Sequence, residues 1–280
     1  MKPYIDPKVD CVFKAILGKE ENKALLIHFL NAVLQGETPV HIHDVVILNP
    51  YNERDFETDR LSVVDIKARD DQERSYQIEI QLALHPGLTS RMLYTWSTLY
   101  HGLLSKGENF TLLRPVIAIW ILNESLFGDI AAYHLPFEVY NRQHKLVLSD
   151  HFHIHLLQLP KWQAQETRYA EIDRWMYLFK EGQEIDVDDP PAFLQTKEMR
   201  QAMNVLQHFA ENEAEYLLYQ KRLDALRVEA TWKAEIERVK AEAEQAKRRE
   251  EQERQAKEQE RREKERLLEL LKQAGIDPNQ

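Results

Sequence analysis

Cysteine is almost absent from this 280-residue chain: Cys11 stands alone. That excludes an intrachain disulfide framework and a cysteine-based zinc site. Glycine is scarce, at 8 residues, and none of them builds a Gly-rich loop that could cradle phosphates, which argues against an ATPase. A Gly-x-Ser-x-Gly nucleophile elbow is missing, which argues against a serine hydrolase. The longest apolar run, PVIAIWIL at 115–122, falls far short of the ~20 residues that cross a bilayer. The opening MKPYIDPKVD has no apolar core of a signal peptide. These absences lead to the expectation of a cytoplasmic protein without a membrane partner. A basic excess is lacking too. Formal net charge is −10, with 19 Lys/Arg against 28 Asp/Glu in residues 1–195 and 18 against 19 in 196–280. The bulk charge therefore carries no footprint of tight nonspecific DNA binding.

What is present is a globular two thirds followed by a highly charged third. Residues 9–35 carry two helical apolar stripes, Val12, Phe13, Ile16 and Leu17, then Leu25, Leu26, Phe29, Leu30, Val33 and Leu34. Gly18 marks a break between them, and Gly36 and Pro39 end the second. Strands are expected over 41–49, 61–70 and 75–83, the last two joined by the polar turn DDQER. A helix from Pro86 to about Ser105 follows, with Leu88, Met92, Leu99 and Leu103 available for the core. LRPVIAIWILN (113–123) reads as a strand buried on both faces. Further strands are expected over 131–140 and 151–159, and a helix over 167–180. Residues 186–195 form an acidic, proline-containing linker between a domain at 1–185 and a helical arm at 196–280. The arm reads as almost continuous helix, with many Glu residues four positions before a Lys or Arg. Its candidate roles are a solvated arm or a coiled coil that brings copies of the chain together.

The stretch SYQIEIQ is unusual. Gln77, Glu79 and Gln81 alternate with Ile78 and Ile80, the pattern of a strand with one polar and one apolar face. If Asp71 to Glu73 form the hairpin loop, Asp70 faces Arg74 and Asp65 falls opposite Glu79. Lys67 then meets Gln77, and Val63 meets Gln81. The other face holds Val64, Ile66 and Ala68 against Tyr76, Ile78 and Ile80, all apolar except for the tyrosine hydroxyl. A one-residue slip would bury Glu79 and expose the isoleucines, so the pattern favours this register. Two directly opposed carboxylates repel, and something must compensate. Lys67 is the near candidate and a divalent cation the functional one. Mg²⁺ takes one or two carboxylates and keeps waters for a phosphate substrate. The Ile80 carbonyl could add an oxygen. A solvated hairpin face is the competing reading.

Three stretches together resemble a known family: VDCVFKAILGKEENKALLIHFLNAVL, VVDIKARDDQERSYQIEIQ and SRMLYTWSTLYHGLLSKGENFTLLRPVIAIWILN. They look like the PD-(D/E)XK nuclease family transposases, also called recombination-promoting nucleases or the Rpn family, over roughly residues 1–180. LLQLPKW (156–162) resembles a later strand of that family. The resemblance implies an α/β restriction-endonuclease-like core, α-β-β-β-α-β, with a mixed sheet flanked by helices. It implies a metal-dependent deoxyribonuclease using Mg²⁺ or Mn²⁺, with DNA as partner and a role in recombination or mobile elements. Asp65 matches the metal-binding aspartate, and Glu79 the glutamate of the E-x-K motif. Asp65, Glu79 and the Ile80 carbonyl would hold the metal. Gln81 stands where the superfamily's lysine would be; glutamine can bond a water but carries no charge and no titratable proton. Glu21 is the candidate additional acid, with Glu20 and Asp10 behind it. Arg91 and Tyr94 match an R-x-x-Y of the family and, with Lys67, are candidates for phosphate contact or support.

Two alternatives stand beside this reading. His151, His153 and His155 share a strand face, but that spacing spans about 13 Å, too long for one tetrahedral zinc. A catalytically weak or inactive nuclease fold, working as a binding or scaffold module through its arm, is the second functional class.

Overall fold

The computed structural model describes residues 4–36, 41–49, 65–164 and 170–273. The described chain divides into two compact units, Met1–Leu223 and Asp224–Gln280.

In the first unit, α1 (Asp10–Leu17) and α2 (Lys23–Leu34) form where the two apolar stripes lie, with a 3-10 turn at Glu20–Asn22 between them. Val12, Phe13, Ile16 and Leu17 are buried, as are Leu25, Leu26, Phe29, Leu30, Val33 and Leu34. Gly18 ends α1 as expected: its amide donates to the Lys14 carbonyl at 2.7 Å. An added Cβ there would press on that same oxygen at 2.9 Å. The expected stop at Pro39 lies outside the described residues.

Among the described residues the main sheet has six strands: β1 (Val45–Ile47), β2 (Asp65–Asp70), β3 (Ser75–Gln81), β4 (Val116–Leu122), β5 (His134–Phe137) and β8 (Phe152–Gln158). Their spatial order is β1-β2-β3-β4-β8-β5. The β1–β2 and β2–β3 pairs are antiparallel, β3–β4 and β4–β8 parallel, and β5–β8 antiparallel. Helix α3 (Leu88–His101) makes the crossover from β3 to β4. This is a mixed α/β fold with the restriction-endonuclease-like order read from the sequence.

Two faces flank the sheet. On one, Gly18 of α1 approaches the Ile66 side chain, and Phe13, Phe29, Trp175 and Phe179 pack edge and face with centroids 5.4–6.2 Å apart. Trp175 and Phe179 come from α4 (Glu171–Glu181). On the other face, Leu88 and Met92 of α3 close over Ala118, Trp120 and Leu122 of β4 and Ile154 and Leu156 of β8. Strand β4 is buried along its whole length, as its continuous apolar run predicts.

Several expectations are corrected. The expected helix at 86–105 begins one residue after Gly87, whose φ of 85° lies in the left-handed region, and ends at His101. The strand expected over 131–140 splits: His134–Phe137 joins the main sheet, whereas Tyr140–Asn141 (β6) pairs with Leu146–Val147 (β7) in a separate hairpin. The C-terminal helix is interrupted. Helix α5 (Lys197–Glu211) stops at Asn212, and α6 (Glu213–Gln273) starts anew. Asn212 has an extended ψ of 117°, and its Oδ1 accepts from the amides of Ala214 and Glu215 at 3.0 and 3.1 Å. That is an N-cap, which satisfies orphan donors of the new helix.

Packing of the first unit continues through the start of α6. Met199, Ala202, Leu206 and Phe209 of α5 are buried, and Gln201 donates to Asn22 at 3.1 Å. Lys19 meets Glu215 at 3.3 Å, and Arg222 pairs with Asp10. The Tyr219 hydroxyl accepts from the Asp6 amide at 3.0 Å.

Candidate active site

The β2–β3 hairpin is locked at its turn. The Glu73 amide donates to the Asp70 carbonyl at 3.1 Å, and Glu73 adopts φ 62°, the left-handed residue that closes a three-residue hairpin loop. The Asp70 carboxylate accepts from the Gln72 and Arg74 amides at 3.0 and 2.9 Å, from Arg74 Nε at 2.6 Å and from the Tyr76 hydroxyl at 2.8 Å. Burial and the Asp70 charge push the Tyr76 phenol far up, so it stays a donor.

This turn fixes the register. Asp65 lies opposite Glu79, Ile66 opposite Ile78, Lys67 opposite Gln77 and Ala68 opposite Tyr76, the pairing deduced from the apolar alternation. Val63 and Val64 lie outside the described residues. In such a pair the Cβ atoms are about 4.5–5.5 Å apart, so two carboxylate-bearing positions are neighbours on one face of the sheet.

The solvated-face reading of β3 is overturned. From Ser75 to Ile80 every residue is buried and Gln81 is half-buried; Glu79 is 1% exposed. The reason is the position of β3. It sits between β2 and β4, and α3 covers the face that carries Glu79. The alternating pattern QIEIQ reads as half-wet, but both of its faces are enclosed.

A buried carboxylate needs a partner, and α3 delivers one. Arg91 pairs with Glu79 through Nη2 and donates through Nη1 to Gln81 Oε1 at 3.2 Å. Its guanidinium also lies 5.5 Å from the Trp120 ring centroid, on the residue that pairs with Glu79 across the parallel ladder. Gln81 in turn donates to the Ala83 carbonyl at 2.9 Å. Arg91 thus holds Glu79 and Gln81 as one unit. Tyr94, one turn further on, is 72% exposed. Lys67, the cation expected to compensate the carboxylate pair, faces Gln77 across the ladder.

Two further polar groups line the same face. Gln77 Oε1 and Trp120 Nε1 are buried without a hydrogen-bond partner among the described residues. Such orphans are rare in folded proteins and mark a polar interior. The sequence offered one sign of them, since Gln77 shares the alternate row of Glu79. Trp120, inside an apolar strand, offered none.

The proposed additional acids have other partners. Glu21 is exposed on the turn after α1 and meets Lys19 at 3.8 Å; Glu20 is exposed; Asp10 is paired with Arg222. The three histidines have different hydrogen-bond partners. His151 meets the Tyr100 hydroxyl at 2.9 Å, His153 the Asp150 carbonyl at 2.8 Å, and His155 is buried against His134 at 2.9 Å. Among the described residues no group of three His, Cys, Asp or Glu is placed to hold a metal.

The fit to a hard divalent cation rests on oxygen. Glu79 and the Gln77 side-chain oxygen share one face, and the register sets Asp65 across from Glu79. Carboxylate and amide oxygens suit Mg²⁺ or Mn²⁺. The Arg91 guanidinium supplies positive charge at the same carboxylate, so an ion there would share Glu79 with it. The donor types fit.

A mixed sheet with an antiparallel meander, a helical crossover to a parallel neighbour, and acidic positions facing each other across its central hairpin defines a nuclease-type α/β core. The chain belongs to the PD-(D/E)XK nuclease family transposases, whose family model matches residues 7–236. No curated protein and no solved structure matches the chain. No helix among the described residues is long and apolar enough to cross a membrane.

Proposed function

We propose that the protein is a divalent-metal-dependent DNA endonuclease acting in recombination or on mobile elements, with Asp65, Glu79 and Gln81 as its working residues. The observation that carries this reading is the pairing of Asp65 with Glu79 in a family of nuclease-type transposases. Asp65, Glu79 and the Ile80 carbonyl would hold Mg²⁺ or Mn²⁺. When bound, the ion would lower the pKa of a water and neutralise charge growing on the phosphodiester. Gln81, fixed by Arg91 and Ala83, orients a water as donor or acceptor but cannot take its proton. Arg91 holds Glu79 in place. Lys67 and Tyr94 are the candidates for contact with an incoming backbone phosphate, Tyr94 from its exposed position on α3. Glu21 remains the candidate extra acid from the first helical segment. The test is nicking or cleavage of plasmid DNA by the purified full chain with Mg²⁺ or Mn²⁺, beside Asp65→Ala.

A second reading has its own observation. Glu79 is already neutralised by Arg91, and no lysine stands at position 81. A nuclease fold that no longer cuts, and serves as a binding or scaffold module, accounts for both. A nuclease-like domain followed by a helical arm belongs to either reading, as does self-association of that arm in the cytoplasm. Equal DNA degradation by wild type and Asp65→Ala would favour this second reading.

A further inference from the structure

The described part of the second unit is a single helix, and it is not polar all round. Val228, Trp232, Ile236 and Val239 are large apolar residues that stand more than half exposed on it. With Ala243 and Ala246 they recur at spacings of four, four, three, four and three. At about 100° per residue all six fall within an arc of about 80°, a stripe about 27 Å long. Val228 to Val239 and Trp232 to Ala243 each span an 11-residue repeat, a period that winds little or to the right rather than into the left-handed supercoil of strict heptads.

Between Glu235 and Lys247 the edges of the stripe differ in charge, whereas Glu229 near its start lies on the lysine side. Glu235 and Glu242 lie along one edge, and Lys240 and Lys247 along the other. Arg238 backs the acidic edge, bonding Glu235 at 2.5 Å and Glu242 at 3.1 Å; Lys240 bonds Glu237 at 3.0 Å. When two copies of a helix pack side by side in parallel, opposite edges meet, so acid faces base. In an antiparallel pair like edges meet, and acid faces acid. Flanking charges of this kind set partner and orientation in coiled coils. Net charge does not oppose the pairing: residues 224–280 carry 14 Lys/Arg against 15 Asp/Glu.

We propose that the occupant of this stripe is the same stripe of a second copy, in a parallel, in-register, two-stranded pair. Val228 packs on the partner's Val228 and Val239 on the partner's Val239. Glu235 and Glu242 approach the partner's Lys240 and Lys247. This deepens the self-association reading of the arm and is independent of DNA cleavage.

The experiment uses the full chain without metal or DNA. Light scattering at micromolar concentration gives a dimer mass for wild type. Trp232→Glu with Val239→Glu shifts it to monomer. Glu235→Lys with Glu242→Lys, and separately Lys240→Glu with Lys247→Glu, each weaken the dimer at least tenfold, and mixing the two restores it as a heterodimer. Because the stripe variants can also lose helix, orientation is read from a second measurement. Val228→Cys forms an intermolecular disulfide under mild oxidation, whereas a mixture of Val228→Cys and Ala246→Cys gives no heterologous cross-link. Cys11 is buried and does not interfere. A monomeric wild type overturns self-association itself. A dimer that survives Trp232→Glu with Val239→Glu, or that cross-links Val228→Cys to Ala246→Cys, overturns the seam or its orientation.

Discussion

Arg91, carried on α3, is ion-paired to Glu79 at the buried centre of the sheet. Arg91 also bonds Gln81, so one guanidinium organises both strand residues that flank the Ile80 carbonyl. Helix α3 therefore does more than cover the sheet. It brings a fixed positive charge to the carboxylate that faces Asp65.

Arg91→Ala leaves Glu79 buried without that cation. Removing one partner of a buried pair costs about 3–5 kcal/mol; the 28% exposure of the Arg91 side chain puts the expected loss at the lower end. Arg91→Met combined with Glu79→Gln recovers much of it, because no charge is then stranded. Urea unfolding measures both. Mg²⁺ raises the Tm of Arg91→Ala more than that of wild type, since the ion replaces the missing charge. Equal stability of wild type and Arg91→Ala in chelator would remove this role.

Asp70 is another buried carboxylate, with four donors on its two oxygens. Asp70→Ala strands the Arg74 guanidinium and the Tyr76 hydroxyl in the core. A loss of about 3–5 kcal/mol is expected, with the urea m-value unchanged if the hairpin still forms. A loss under about 1 kcal/mol would mean that these donors find water.

The hairpin was the most legible part of the molecule. Its alternation is strict, its loop is short, and a slip would move every isoleucine to the wrong face, so Asp65 opposite Glu79 followed from the residues alone. The partner of Glu79 did not follow. Arg91 reaches it by packing of α3 on the sheet, and sequence periodicity says which face of a helix is apolar, not which strand residue lies beneath its arginine. The same missing layer made QIEIQ look half-wet. Asn212 was different. Asn-Glu-Ala-Glu carries an N-cap signal with Glu at the third helical position, but it sits inside a long run of good helix formers that reads as uninterrupted.

The His134–His155 pair predicts an acid-sensitive component of stability. Burial lowers His134 from an ordinary 6.5 to about 4, and His155 to about 3; the two share a 2.9 Å contact. Unfolded chains bind protons at these imidazoles below about 6.5, and the fold resists them. Stability is therefore full above pH 6.5 and falls as pH drops from there towards 3. The Tm of wild type should decline between pH 7 and pH 5, before most carboxylates titrate, and His155→Phe should flatten that slope. An identical slope in the variant would assign the sensitivity elsewhere.

Asp65 and Glu79 together are proposed to support metal-dependent DNA cleavage. Its most direct measurement is the rate of plasmid nicking by the purified full chain in Mg²⁺ or Mn²⁺, set beside Asp65→Ala prepared in the same way. Wild type is expected to nick plasmid in a reaction that chelator stops, with a loss of at least about 100-fold, roughly 2.7 kcal/mol in the barrier, for Asp65→Ala. Equal rates for the two proteins would contradict it and leave a nuclease fold whose work is binding.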